Sequence, residues 1–132
     1  MNSNSFLIDT TIWVLYFRGD RDVEDRVKSL VIEDRAATTH IIILEILRGA
    51  RSQKEYERLY RALNALTLLG WNDSIWEESY RTAYKLNKAG LSLPLADVLI
   101  ATVANSHHCP LLHRDRHFSL MAEVTGLKEV MI

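Results

Sequence analysis

Short apolar runs alternate with longer amphipathic segments along this chain, and the alternation predicts strands and helices in turn. The first run, Phe6-Leu7-Ile8, is short and continuously apolar, which is typical of a buried strand. Aromatic residues then recur at helical spacing within Thr10–Phe17, which predicts a helix. Asp9 therefore stands where a strand ends and a helix begins. In open α/β sheets, ligands bind at the carboxyl ends of the strands.

The same alternation continues to the end of the chain. Further strands are predicted at residues 36–39, 67–69, 110–113 and 129–132. Further helices are predicted at residues 21–34, 40–50, 52–66, 95–105 and 116–124, together with a long helix that Asp73 caps and Gly90 ends. The isoleucine run at 41–43 also fits a strand, but the length of its segment and the Arg48-Gly49 that follows favour a helix. The pattern predicts an α/β fold, with a central parallel sheet and helices on both faces.

Composition limits the class of protein. The chain has 132 residues and a mass of 15.2 kDa, which is typical of one domain. The net charge of −1 gives no basic footprint to the whole molecule, so contact with nucleic acid would need a local patch. Cys109 is the only cysteine, which fits a reducing compartment. The N-terminus lacks the pattern of a signal peptide and no run reaches the length of a membrane span, so we expect a soluble, cytoplasmic protein.

Four acidic residues stand out because their neighbours are apolar. They are Asp9, Glu45, Asp97 and Asp115. Asp9 and Asp115 follow predicted strands, whereas Glu45 and Asp97 lie inside apolar predicted helices. The remaining acids lie mostly among polar residues, which is typical of a solvated surface.

Each of these acids also has a structural interpretation. Asp9 and Asp115 can cap the helices that follow them, and for either residue taken alone this is the more common role. Asp97 lies in the first turns of its helix, where a carboxylate suits the helix dipole. Glu45 is harder to explain in this way, because a buried carboxylate is costly unless it is paired. Arg48, one turn further on, is a possible partner.

The joint placement of the four acids favours a metal site. In a parallel sheet the two strand ends and the two helices would bring all four carboxylates to the same edge. At about 5 Å and an effective dielectric constant of about 20, each pair of charges costs roughly 3 kcal/mol. Such a cluster is tolerated only if it is protonated or bound to a cation, and oxygen ligands favour Mg²⁺ or Mn²⁺ over zinc.

Each of these acids lies in a short segment that forms a recognisable motif. The segments are Asp9-Thr10-Thr11, Leu44-Glu45-Ile46-Leu47-Arg48-Gly49, Leu95-Ala96-Asp97-Val98-Leu99-Ile100-Ala101 and Leu111-Leu112-His113-Arg114-Asp115-Arg116-His117-Phe118. They resemble the four motifs of the PIN domain, and the chain as a whole resembles the VapC-type toxins of bacterial toxin–antitoxin pairs. The motifs occur in the usual order, and the resemblance covers essentially the whole chain. It implies a single PIN-like domain over residues 1–132.

The resemblance also implies an activity, a cofactor and partners. It implies a ribonuclease dependent on Mg²⁺ or Mn²⁺, with Asp9, Glu45, Asp97 and Asp115 as the catalytic and metal-binding acids. Thr11 matches a hydroxyl position close to the metal. The implied partners are RNA as substrate, an antitoxin protein that covers the site, and a second copy of the chain in a homodimer.

Two residues depart from the family pattern. The family usually has Thr or Ser two residues before the fourth acid, where this chain has His113. It often has a further Asp two residues after that acid, where this chain has His117. Both histidines are site-supporting candidates, and both bear on a second metal position and not on the fold.

Basic residues could follow an RNA backbone around this acidic centre. Four of them recur three and four apart in and just before the predicted helix at 52–66, and three more lie within the motifs. The set is Arg48, Arg51, Lys54, Arg58, Arg61, Arg114 and Arg116. A solvated helix face explains the helical members equally well, because Glu55 and Glu57 lie between them.

Two other functions fit the same residues. One is a PIN-like module that binds RNA or protein without catalysis, which the presence of all four acids disfavours. The other is a metal-dependent phosphatase acting on small phosphoesters. A metal-dependent cleavage assay that offers nucleotides beside RNA would separate the three.

Overall fold

A five-stranded parallel sheet forms the centre of the fold in the computed structural model, which describes residues 4–132. The strands are β1 (Phe6–Ile8), β2 (Ala36–Thr38), β3 (Thr67–Leu68), β4 (Leu111–His113) and β5 (Glu129–Met131). Their order in the sheet is β3-β2-β1-β4-β5, and every neighbouring pair is parallel. The predicted α/β fold with a parallel sheet is confirmed.

Helices connect the strands of this sheet. Within the described residues they are α1 (Thr10–Phe17), α2 (Arg21–Ile32), α3 (His40–Arg48), α4 (Gln53–Asn64), α5 (Asp73–Lys88), α6 (Leu95–Ser106) and α7 (Arg116–Thr125). Each predicted helix is present, with ends that differ by a few residues, and the isoleucine run belongs to a helix. None of these helices has both the length and the apolar character needed to cross a membrane.

Both faces of the sheet are covered. All three residues of β2 and all three of β4 are buried, although successive side chains of a strand point to opposite faces. The largest fully buried side chains include Trp13 on α1 and Phe118 on α7. Helix packing on both sides therefore holds the central strands, and only their ends are free to form a site.

The strand order creates a switch point beside β1. The chain passes from β1 to β2 and β3 on one side, and then places β4 and β5 on the other side. The amide of Asp9 donates to the carbonyl oxygen of Leu112 at 2.9 Å, which joins the ends of β1 and β4. Ligands of open α/β sheets bind at such a switch point, outside the carboxyl ends of the strands.

The capping residue at the start of α5 differs from the one that the sequence predicted. Asn72, and not Asp73, is the residue that caps this helix, because its Oδ1 accepts the Ile75 N–H at 2.9 Å. Asp73 is the first residue of the helix, where its charge faces the positive end of the helix dipole.

We expect Asn72→Ala to lower the free energy of unfolding by about 1 kcal/mol, because the Ile75 N–H would lose its side-chain acceptor. Asp73→Ala should cost less, on the order of 0.3 kcal/mol, since only a screened dipole interaction is lost. Urea denaturation of both variants measures the difference. A larger loss from Asp73→Ala would show that the cap has been assigned to the wrong residue.

Candidate metal centre

Asp9 lies directly after β1 and is the most deeply buried of the four acids. It is 5% exposed and occupies the N-cap position of α1, but its side chain accepts no capping hydrogen bond. The pKa of Asp9 is raised from 3.8 to about 7, chiefly by burial and in smaller part by the nearby charges of Asp97 and Glu45, while the backbone amides of Thr10 and Thr11 oppose part of the rise. Simple capping therefore does not explain this carboxylate.

Asp97 lies in the first turn of α6, just after Pro94. Burial raises the pKa of Asp97 above its ordinary value, and the charges of Asp115 and Glu45 add to this effect. His117 acts in the opposite direction, because a donor or a positive charge there favours the ionised carboxylate. The charge state of Asp97 therefore depends on Asp115, Glu45 and His117.

Asp115 follows β4 and caps α7. Its Oδ1 accepts the His117 N–H at 2.9 Å, so the capping role that the sequence allowed is present. A cap of this kind uses one lone pair of the carboxylate and leaves the others available. The hydrogen bond also fixes the direction of the Asp115 side chain relative to α7.

Asp97, Asp115 and His117 form a compact group that could hold a metal ion. One ligand atom from each lies within 4.8 Å of the others. The Nδ1 atom of His117 is 3.4 Å from Asp97 Oδ2 and 3.4 Å from Asp115 Oδ1. This nitrogen is buried and faces both carboxylates without a hydrogen bond of regular geometry to any described residue, so it is available as a ligand atom. Two carboxylate oxygens and one imidazole nitrogen fit Mn²⁺ and Mg²⁺, and the nitrogen suits Mn²⁺ better.

Glu45 contacts a residue that sequence reasoning missed. The hydroxyl of Thr10 donates to Glu45 Oε1 at 2.7 Å, whereas no ion pair with Arg48 occurs within residues 4–132. The side chain of Thr11, the predicted hydroxyl position, is exposed. The contact depends on how α1 packs on α3, and the local sequence carries no signal that separates the two adjacent threonines.

His113 turns away from the candidate metal centre. Its side chain is completely buried, with Nε2 at 2.8 Å from Glu129 Oε1. Its Nδ1 accepts the Asp115 N–H at 3.1 Å, so protein groups occupy both ring nitrogens. His113 is therefore a supporting residue and not a ligand. Glu129 had no signal in the sequence, because it comes close to His113 only through the pairing of β4 with β5.

The basic residues differ in their surroundings. The Nη2 atoms of Arg51 and Arg58 lie 3.8 and 3.9 Å from Glu55 Oε2. Both arginines line a groove that also includes Glu45. Arg114 donates to the carbonyl oxygen of Ile132 at 2.9 Å. The remaining members are exposed as well: Arg48, Lys54, Arg61 and Arg116. Within the described residues, Arg51 and Arg58 are thus the members of the set that line a groove together with Glu45.

Comparison with known proteins identifies the family to which this chain belongs. Residues 6–124 match the PIN domain family. Ribonuclease VapC11 of Mycobacterium tuberculosis is 34% identical over 127 residues, which span 92% of this chain and 95% of that protein. The chain belongs to the PIN-domain family, and its relatives place it among the VapC proteins of that family.

Solved structures show the same fold. The chain resembles VapBC2 from Rickettsia felis bound to a promoter DNA fragment, with a TM-score of 0.77, 17% identity, and coverage of 96% of this chain and 98% of that one. A toxin–antitoxin complex from Klebsiella pneumoniae gives a TM-score of 0.77 and 24% identity over 96% of this chain and 97% of that one. At these identities the likeness concerns the fold alone.

The raised pKa of Asp9 leads to a prediction about stability without metal. The unfolded chain ionises Asp9 near 3.8, whereas the folded protein holds the proton until about pH 7, so stability falls as the pH rises through this window. At pH 8 the cost is up to about 4 kcal/mol. Asp9→Asn should therefore increase the free energy of unfolding at pH 8 and give a smaller increase at pH 5.

Urea denaturation in the presence of a chelator measures this effect. Asp25→Asn is the matched control, because it removes the same charge from an exposed position on α2 and should change little. A variant Asp9→Asn that is less stable than the wild type at pH 8 would show that the carboxylate is a structural requirement.

Proposed function

We propose that this chain is a metal-dependent endoribonuclease and the toxin of a VapBC-type toxin–antitoxin pair. The observation that carries the proposal is the group of Asp97, Asp115 and His117 at the switch point, with Asp9 and Glu45 beside it. The fold of a PIN domain and the 34% identity to a VapC ribonuclease support the same activity.

The proposed cofactor is Mg²⁺ or Mn²⁺. Asp97, Asp115 and His117 would hold it, with Asp9 and Glu45 as the further acids of the site. A bound divalent cation supplies Lewis-acid activation of an attacking water and charge stabilisation at the leaving oxygen. Without metal the pKa of Asp9 is about 7, so binding of the cation would displace a proton from this carboxyl group near neutral pH. The hydrogen bond from Thr10 holds Glu45 in one orientation at the rim of the site.

The proposed substrate is the phosphodiester backbone of RNA. Arg51 and Arg58 line the groove that leads to Glu45, so a phosphate chain in this groove would reach the acids. Glu55 lies near both guanidinium groups and makes only weak, exposed ion pairs with them. Because both arginines are mostly exposed, they can turn toward phosphates at little cost.

The proposed partners follow from the relatives. The solved structures of similar fold are described as VapBC and toxin–antitoxin complexes, so we infer that an antitoxin binds this chain and covers the site. We also infer a homodimer. The proposed place of action is the cytoplasm, where the RNA substrate and the antitoxin would both be present.

We expect Asp97→Asn to abolish RNA cleavage and leave the fold intact, because it removes a ligand without changing side-chain volume. Asp73→Asn is the matched control, since it removes the same charge from the first turn of another helix and should retain activity. The assay uses purified protein, RNA and Mn²⁺, and it identifies the product ends. A water nucleophile leaves a 5′-phosphate and a 3′-hydroxyl.

Three results would contradict this function. RNA cleavage by the Asp97→Asn variant would show that the reaction does not need this carboxylate. A 2′,3′-cyclic phosphate on the product would show that the ribose hydroxyl is the nucleophile. Faster hydrolysis of small phosphoesters than of RNA would favour the phosphatase alternative.

His117 leads to a prediction about metal preference. Imidazole nitrogen suits Mn²⁺ better than Mg²⁺, so the wild type should bind Mn²⁺ more tightly. His117→Asp should narrow this preference, because it replaces the nitrogen with a charged oxygen ligand. Calorimetric titration with each ion measures both affinities. His108→Asp, at an exposed position, controls for the added charge. An identical ratio of Mn²⁺ to Mg²⁺ affinity in the wild type and in His117→Asp would show that His117 does not bind the ion.

A further inference from the structure

A series of hydrogen bonds connects β5 to the candidate metal centre. Ser119 Oγ donates to Glu129 Oε1 at 2.7 Å, and the same oxygen lies 2.8 Å from His113 Nε2. The other ring nitrogen of His113 accepts the Asp115 N–H at 3.1 Å. The His113 ring is fully buried and packs against Phe118, with 5.2 Å between the ring centroids. This series of hydrogen bonds thus extends from an edge strand to the backbone of Asp115, a candidate ligand.

These contacts define the tautomer of His113. The backbone N–H of Asp115 can only donate, so Nδ1 must present its lone pair. The proton of a neutral imidazole then lies on Nε2, where the Glu129 carboxylate accepts it. Ser119 donates to the same carboxylate oxygen and keeps it beside the ring.

We propose that Glu129 is a positioning residue for the metal centre, which acts through His113 to fix the backbone at Asp115. This inference rests on the proposed function, because it concerns the same metal ligands. Asp115 is one candidate ligand, and the α7 segment that it caps carries the second, His117, two residues further on. The orientation of this short segment therefore decides where two of the three ligand atoms lie.

Loss of Glu129 would disturb this arrangement in a defined way. Nε2–H would lose its acceptor in a buried position, and the proton would be free to move to Nδ1. An Nδ1–H group would then face the Asp115 N–H, so two donors would oppose each other and the segment would have to shift. Partners of this kind that orient metal ligands typically change metal affinity by about 10–100-fold when they are removed.

The test compares three variants by Mn²⁺ binding, followed as the loss of the free-ion signal in electron paramagnetic resonance. Glu129→Leu removes the acceptor, and we expect about tenfold weaker binding. Glu129→Gln keeps an oxygen acceptor at the same place and should restore most of the affinity. Glu123→Leu removes an equal charge from an exposed site on α7 and should bind as the wild type does. This control separates the hydrogen bond from a general effect of charge.

A second measurement needs no variant of Glu129. Nitrogen-15 spectra of the metal-free wild type report which ring nitrogen of His113 carries the proton, and a His113→Asn sample assigns the signal. We expect the proton on Nε2. A proton on Nδ1 would overturn the inference, as would a folded Glu129→Leu that binds Mn²⁺ as tightly as the wild type. A wild type that binds no Mn²⁺ would overturn the proposed function itself, and the inference with it.

Discussion

The burial of a carboxylate at the end of the central strand is the constraint on which the site depends. Asp9 is almost inaccessible, its side chain accepts no capping hydrogen bond, and it lies near the charges of Asp97 and Glu45. Its pKa of about 7 expresses the free energy needed to place a charge there. A protein that only had to be stable would gain from an amide at this position. The acid is therefore best understood as a functional group that the fold tolerates, and a cation would remove the repulsion that makes it costly.

The fold holds the opposite side of the site by hydrogen bonds. Asp115 has its side chain fixed by the His117 N–H and its backbone fixed by His113. His113 in turn depends on Glu129, which β4–β5 pairing brings close. The family usually has a small hydroxyl residue at the position of His113. In this chain a larger buried ring takes its place, and the hydrogen bonds of that ring connect the edge strand to the metal centre.

The sequence predicted the elements well because their apolar periods are regular, and it predicted Asp9 and Asp115 because both follow apolar strands. The local sequence pattern did not predict the contacts that depend on how the elements pack together. The roles of Thr10 and Thr11 differ only through the direction in which α1 presents each side chain to α3. Asn72 and Asp73 are both good caps, and the local sequence does not separate them. Glu129 meets His113 only after two parallel strands have paired in register, which no local pattern specifies.

The central claim is that Asp97, Asp115 and His117 bind a divalent cation beside Asp9. Diffraction from crystals soaked in Mn²⁺, recorded at the manganese absorption edge, tests this claim most directly. The account predicts an anomalous peak in contact with the two carboxylates and the His117 Nδ1 atom. A peak elsewhere, or none at Mn²⁺ concentrations that support RNA cleavage, would contradict it.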